Sequence, residues 1–155
     1  MKSKNELIVW SSTFACGIKL IDEQHKGLIE LVNDMFNHVT GNEAQEREYL
    51  SRVLQKAADY IRQHFTTEEK ILTATKFAGY TEHKKAHDNF ILKVAENAVL
   101  FNSGKRVSLT SFSNYLKDWV MSHIAVMDKQ YFQYIREIAT RKADGSLSIP
   151  HADIE

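Results

Sequence analysis

The residues best placed for chemistry lie between His64 and His87, in the stretch HFTTEEKILTATKFAGYTEHKKAH. His64 and Glu68 are four residues apart, and so are His83 and His87. Residues four apart on an α-helix differ by about 40° around the axis, so each pair projects from one face of its own helix. Gly79 lies between the two pairs and indicates a break between two helices. The spacing therefore predicts that imidazole and carboxylate groups converge across a helix pair, as in a buried metal site.

Four segments of the chain carry the periodicity of amphipathic helices. Apolar residues recur at intervals of three and four, which traces one core-facing stripe on each helix. We predict helices over about 18–40, 43–73, 81–101 and 108–142. The first is expected to end near Gly41, the third to be capped by Thr81 and the fourth to begin at Ser108. Six polar residues interrupt the apolar stripes: His25, His64, Glu68, His83, His87 and His123.

Short connections between these helices make successive helices antiparallel neighbours. We therefore predict an all-α fold, an up-down-up-down antiparallel four-helix bundle, with no strand signals in the sequence. An N-terminal arm is expected at 1–17, the bundle at 18–142 and a loose C-terminal tail at 143–155.

This topology brings the polar core positions to one end of the bundle, because they lie early in helices one and three and late in helices two and four. His25 to Gly41 and Ser108 to His123 each span about fifteen residues, or roughly 23 Å at 1.5 Å per residue. We therefore expect the five histidines to share a layer.

A bound metal ion is the simplest partner for the ring nitrogens of such a layer. A buried imidazole costs free energy unless its ring nitrogens find partners, and five in one layer could not easily satisfy one another. A single histidine is more often a structural or solvent-facing residue than a ligand, which we expect for His38 and His151, both outside the layer. The joint placement of the other five favours metal binding.

Asp128 decides how many ions the layer needs. It follows His123 by five residues, about 140° around an ideal α-helix, so both side chains face the layer only if the helix widens there. We predict a π-type bulge or a turn near Ala125. Two octahedral ions offer about twelve positions: five for histidines, four for two bridging carboxylates, two for a bridging oxide or hydroxide, and about one left open. An open position on a redox-capable iron pair could bind dioxygen, although manganese or zinc fits the same ligands.

Composition limits the other possibilities. The chain has 155 residues and 43% hydrophobic content, as expected of one globular domain. Twenty basic and twenty acidic residues balance, so neither nucleic acid nor an anionic membrane surface is favoured as a partner. The single cysteine, Cys16, forms no intrachain disulfide, and the start MKSKNELIVW lacks the apolar core of a signal peptide. We expect a cytoplasmic protein without a membrane span.

Four motifs, in this order, resemble those of the bacterial hemerythrins: GIKLIDEQHKGL at 17–28, HFTTEE at 64–69, HKKAH at 83–87 and HIAVMD at 123–128. The resemblance extends over about residues 7–132. It implies a bundle that holds two non-haem iron ions with an oxo or hydroxo bridge. His83, His87 and His123 would bind one iron, and His25 and His64 the other. Glu68 and Asp128 would bridge the two.

The resemblance further implies reversible binding of dioxygen, held as a hydroperoxide on the iron of His25 and His64. A carrier, store or delivery protein fits a domain of this size best, and an oxygen-using enzyme could be its recipient. An oxygen or redox sensor and an iron-handling protein are the alternatives with the same centre. We do not expect an enzyme, because ferritin-like di-iron enzymes use four carboxylates and Glu-x-x-His repeats. A monomer is expected.

Overall fold

The structure is a computed structural model that describes residues 6–138, 140–141 and 147–148. Its elements are α1 (Lys19–Asn37), α2 (Glu43–Ala74), α3 (Tyr80–Asn102), α4 (Leu109–Ser122), a π-helical turn (His123–Met127), α5 (Asp128–Ile138), and the short strands β1 (Thr140–Arg141) and β2 (Leu147–Ser148). The π-helical turn joins α4 to α5 without a break, and together they form the fourth helix of the bundle. Helix α1 contacts α2 and α4, and α2 contacts α3, which confirms the predicted all-α four-helix bundle.

The end of the fourth helix differs from the prediction. Helix α5 ends at Ile138, whereas we expected helix to about Lys142. Strands β1 and β2 follow instead, paired antiparallel with Thr140 opposite Ser148, and no strand was predicted there. Most of the predicted tail at 143–155 lies outside the described residues.

Two of the helices, α2 and α4, begin after a residue whose side chain caps them. The Asn42 side chain accepts a hydrogen bond from the Gln45 amide at the start of α2. Ser108 does the same for the Ser111 amide, so it is the capping residue of α4, and the helix itself begins one residue after the predicted position, at Leu109. Helix α3 instead begins at Tyr80 after Gly79, with no side-chain cap, so the prediction that Thr81 caps it is wrong.

The first helix ends four residues before Gly41, at Asn37. The amides of His38 and Val39 donate to carbonyls only three residues back, which tightens and closes the final turn. The Glu46 carboxylate then accepts hydrogen bonds from the amides of Thr40 and Gly41, at 3.1 and 2.7 Å. These bonds pull the connection away from the helical path, while Gly41 supplies the left-handed conformation that the turn requires, with φ of +79°.

Two apolar clusters fill the interior, one on each side of the polar positions along the helices. The larger cluster contains Leu28, Phe65 and Ile124 among many others. The smaller cluster lies at the opposite side and comprises Cys16, Ile18, Ile21, Ile71, Leu72, Tyr131, Phe132 and Ile135. The polar residues therefore lie in a layer between two apolar regions.

The N-terminal segment packs against α1 through Asn33. The amides of Leu7 and Ile8 both donate to the Asn33 side-chain oxygen at 2.9 Å, and the Asn33 amide group donates to the Ile8 carbonyl at 2.8 Å. Trp10 and Phe14 stack with their ring centroids 5.8 Å apart. In the part of the chain that the structure describes, no helix is both long enough and apolar enough to cross a membrane.

Candidate metal centre

The predicted site residues lie together in one buried cluster, contributed by all four helices of the bundle. Each is at most 3% exposed. Helix α1 contributes one histidine, α2 a histidine and a glutamate, α3 two histidines, and the π-helical turn with the first residue of α5 a histidine and an aspartate: His25, His64, Glu68, His83, His87, His123 and Asp128.

Glu68 lies at the centre of this cluster, and its two carboxylate oxygens face different histidines. Oε1 is 3.0 Å from His25 Nε2 and 3.2 Å from His64 Nε2. Oε2 is 3.3 Å from His83 Nε2 and 3.1 Å from His87 Nε2, with His123 Nε2 further away at 4.0 Å. The histidines therefore divide into a group of two and a group of three around a single carboxylate.

Asp128 spans the same two groups from the other side. Its Oδ2 is 3.3 Å from His25 Nε2, and its Oδ1 is 3.1 and 3.0 Å from the Nε2 atoms of His83 and His123. Asp128 and His123 both reach the layer because residues His123–Met127 form a π-helical turn. The wider turn compensates for the five-residue spacing, and it confirms the predicted π-type bulge near Ala125.

The buried polar atoms of this cluster do not satisfy one another. The Nε2 of His64 and both carboxylate oxygens of Asp128 are buried without a hydrogen-bond partner. The Nε2 atoms of His87 and His123 lie 3.0 Å apart. An unpartnered buried polar group costs about 1–3 kcal/mol, whereas imidazole and carboxylate donors are ligands of first-row transition metals. The donor set therefore fits metal ions. The ligand atoms of two overlapping groups lie within 4.8 Å of one another: Glu68 with His83, His87 and His123, and Glu68 with His25 and His64.

Comparison with known proteins identifies the family. The family profile described as "Hemerythrin HHE cation binding domain" matches residues 16–135. The chain belongs to the hemerythrin family.

Individual relatives agree with this assignment. A bacteriohemerythrin of Pseudomonas aeruginosa is 30% identical over 142 residues, covering 89% of this chain and 90% of that relative. The myohemerythrin of Sipunculus nudus is 32% identical over 124 residues, covering 79% of this chain and 89% of that relative. A crystal structure of wild-type hemerythrin superposes with a TM-score of 0.72 at 26% identity, covering 82% of this chain and 96% of that one. The predicted bacterial hemerythrin family and its bundle are thus confirmed.

The charged groups of this seven-residue cluster, called the hemerythrin cluster below, shift one another's pKa values. Burial disfavours the charged form of His25, but the carboxylates of Asp128 and Glu68, 3.3 and 3.0 Å from its Nε2, outweigh this cost and raise its pKa to about 9. Burial also opposes protonation of His123, yet the negative charge of Asp128 raises its pKa to about 9. The reverse holds for Glu68, whose pKa is well below its usual range despite complete burial, because the nearby charge of His64 favours the carboxylate.

Two further residues around the hemerythrin cluster escaped the sequence analysis. The Gln24 side-chain oxygen accepts a hydrogen bond from His64 Nδ1 at 2.7 Å, which leaves Nε2 free to face Glu68. The Tyr131 hydroxyl donates to Glu68 Oε1 at 2.8 Å. A signal for Tyr131 was present, because it follows Asp128 by three residues and so lies on the same helix face.

Glu69 lies beside the cluster. Its side chain is 21% exposed, with one carboxylate oxygen 3.4 Å from the Lys84 ammonium and the other 3.7 Å from His87 Nδ1. Outside the hemerythrin cluster, His38 lies at the end of α1, stacks on Tyr49 with ring centroids 3.9 Å apart, and has a half-exposed side chain. His151 lies outside the described residues.

Proposed function

We propose that this chain binds dioxygen reversibly at a pair of non-haem iron ions, as a carrier, store or delivery protein. The observation that carries the proposal is the orientation of Glu68, whose Oε1 faces His25 and His64 while Oε2 faces His83 and His87. A carboxylate with its two oxygens directed at two separate imidazole groups is the arrangement that bridges two ions.

The two groups differ in their number of nitrogen donors. His83, His87 and His123 supply three imidazoles, whereas His25 and His64 supply two. An ion held by the smaller group would therefore have the open coordination position. A ferrous pair held by these residues would supply two electrons, and a hydroxo bridge one proton, for reversible binding of dioxygen there as a hydroperoxide.

The surrounding side chains support a binding protein rather than an enzyme. Phe65 stacks on His87 with ring centroids 3.8 Å apart and is 1% exposed, so it limits water access on that side. The Tyr131 hydroxyl is already engaged with Glu68. Among the described residues, no further general acid, base or nucleophile lies in the layer, which favours binding without turnover of a second substrate.

The test is an anaerobic iron assay followed by an optical spectrum on admission of air. We expect two iron ions per chain and a visible charge-transfer band that disappears on deoxygenation. His64→Ala should abolish the band, because it removes one of only two imidazoles at the open ion. His38→Ala is the matched control, since His38 lies outside the cluster and should leave the band unchanged.

An intact band in His64→Ala would contradict the assignment of the oxygen-binding ion. Irreversible bleaching in air would favour a sensor or an oxidase over a carrier. The cytoplasmic location, the monomeric state, the oxygen-using recipient and the division into arm, bundle and tail remain predictions from the sequence.

A further inference from the structure

Trp119 differs from the other aromatic side chains that contact the site histidines. Phe65, Tyr131 and Phe132 also contact them, and each is at most 2% exposed. Trp119 is only half-buried. Within the described part of the chain, it is therefore the one aromatic ring that both contacts a site histidine and reaches the surface.

The contact between Trp119 and the site is close and parallel. Its ring centroid lies 4.2 Å from that of His123, with 13° between the planes. It also lies 6.4 Å from the ring of His87. Both histidines belong to the group of three around Glu68 Oε2, so Trp119 lies beside this group and not beside the group of His25 and His64.

We propose that Trp119 is the contact through which a one-electron donor reduces the iron held by His83, His87 and His123. This inference rests on the proposed function, in which dioxygen binds only to ferrous iron, so that protein left in the ferric state must be reduced before it binds again. The site histidines are at most 3% exposed, and a donor cannot touch them directly. A ring in van der Waals contact with a ligand shortens the gap that the electron crosses.

The electron transfer from donor to iron requires no chemical change of the Trp119 indole. The donor, a reduced flavin, loses one electron and one ferric ion becomes ferrous. No bond to Trp119 forms or breaks, and the indole proton stays in place. A second transfer of the same kind would complete the ferrous pair, and an oxo bridge would take up one proton from water to become a hydroxo bridge. Entry through the group of three histidines leaves the smaller group of His25 and His64 free for dioxygen.

The experiment measures the anaerobic reduction rate of the ferric di-iron protein by photoreduced flavin mononucleotide. Trp119→Leu should be reduced roughly tenfold more slowly, equivalent to about 1.4 kcal/mol in the barrier. Trp119→Phe retains a ring against His123 and should keep most of the rate. Trp10→Leu is the matched control, because Trp10 is also half-buried but stacks on Phe14, away from the site.

Iron content and midpoint potential are measured on the same samples. They distinguish electron transfer through Trp119 from a role of Trp119 in packing the site. Slower reduction with two irons and an unchanged potential supports the proposal. An unchanged rate in Trp119→Leu overturns it, as does a slower rate that is accompanied by lost iron or a shifted potential. If Trp119→Leu does not fold, Trp119→Met, which fills the space without a ring, takes its place under the same criteria. Failure of the unmodified protein to bind two irons contradicts the proposed function instead.

Discussion

At the scale of single residues, the site depends on one glutamate and one aspartate among five imidazoles. Glu68 and Asp128 are fully buried, and neither would remain ionised in an apolar interior without positive partners. In the metal-free protein these partners are the protonated histidines, because the pKa values of His25 and His123 are raised to about 9. Protons therefore occupy the positions that the metal ions would take.

Metal binding should accordingly release protons. A ligating imidazole must be neutral, so at neutral pH His25 and His123, with pKa values of about 9, each lose a proton when a metal ion binds. Metal affinity should rise with pH and level off above about 9, where both rings are already neutral in the metal-free protein.

Calorimetric titration of the metal-free protein with zinc, in buffers of different ionisation enthalpy, measures this release. At pH about 7 the observed heat should vary between buffers, and at pH about 10 the variation should become small. Equal heats in all buffers at neutral pH would show that the histidines are not protonated before metal binds.

The sequence was sufficient to place all seven cluster residues, because helical spacing and antiparallel topology determine where side chains at a fixed register lie. It did not predict Gln24, Tyr131 or the contact of Glu69 with Lys84. These contacts depend on which rotamer each side chain adopts and on the distance between neighbouring helices, and periodicity carries no information on either.

At the scale of secondary-structure elements, the π-helical turn at His123–Met127 and the bounds of α2 were predictable, whereas the end of α1 and the capping of α3 were not. The turn follows from a five-residue spacing between two residues that must face the same layer. The end of α1 depends on the hydrogen bonds that two loop amides donate to the Glu46 carboxylate. The start of α3 has no capping side chain. Such ends are set by contacts between elements rather than by local sequence.

The loop between α2 and α3 contains a residue with an unfavourable backbone conformation. Lys76 has φ of +55°, the single positive value among the non-glycine residues described, and its side chain is exposed. Its amide donates to the Thr73 carbonyl at 3.2 Å, and the next amide, of Phe77, donates to the Leu72 carbonyl at 3.0 Å. This is the hydrogen-bonding pattern of a Schellman helix end, where glycine is preferred.

Lys76→Gly should therefore stabilise the protein. Removing the side chain relieves about 1–2 kcal/mol of left-handed strain, and the extra freedom of glycine in the unfolded chain offsets about 0.5–1 kcal/mol of it. The expected gain in the free energy of unfolding is about 0.5–1 kcal/mol, measured by chemical denaturation.

Gly104→Ala is the control, for which we expect the opposite change in the free energy of unfolding. Gly104 has φ of +82° and no atom near the position of an added Cβ, so only backbone strain changes there. We expect a loss of about 1 kcal/mol. Destabilisation by Lys76→Gly would show that the lysine side chain contributes more than its backbone strain costs.

At the scale of the whole molecule, the polar layer separates the larger apolar cluster from the smaller one. The larger cluster, which includes Leu28, Phe65 and Ile124, does not need metal to exclude water. The layer itself contains buried atoms of His64 and Asp128 that have no hydrogen-bond partner. We therefore expect the metal-free protein to remain helical but to be less stable than the loaded protein.

Removal of the metal should lower the melting temperature. A ligand at a thousandfold excess over its dissociation constant stabilises a protein by about 4 kcal/mol. For a domain of this size that corresponds to a decrease of roughly 10 °C when the metal is chelated. Circular dichroism melts of the metal-loaded protein and of the protein treated with a chelator measure the difference. Equal melting temperatures would contradict a stabilising role for the metal.

The unequal size of the two apolar clusters suggests a route by which a metal ion could enter the bundle. The smaller cluster is formed by the ends of α2 and α5 together with residues around the start of α1, including Ile71, Phe132 and Ile18. Fewer apolar contacts hold this end, so its local opening costs less free energy than unfolding of the whole chain. We therefore expect metal uptake to proceed through transient fraying of this end, at a rate that changes with substitutions in these residues and not with substitutions at the far end.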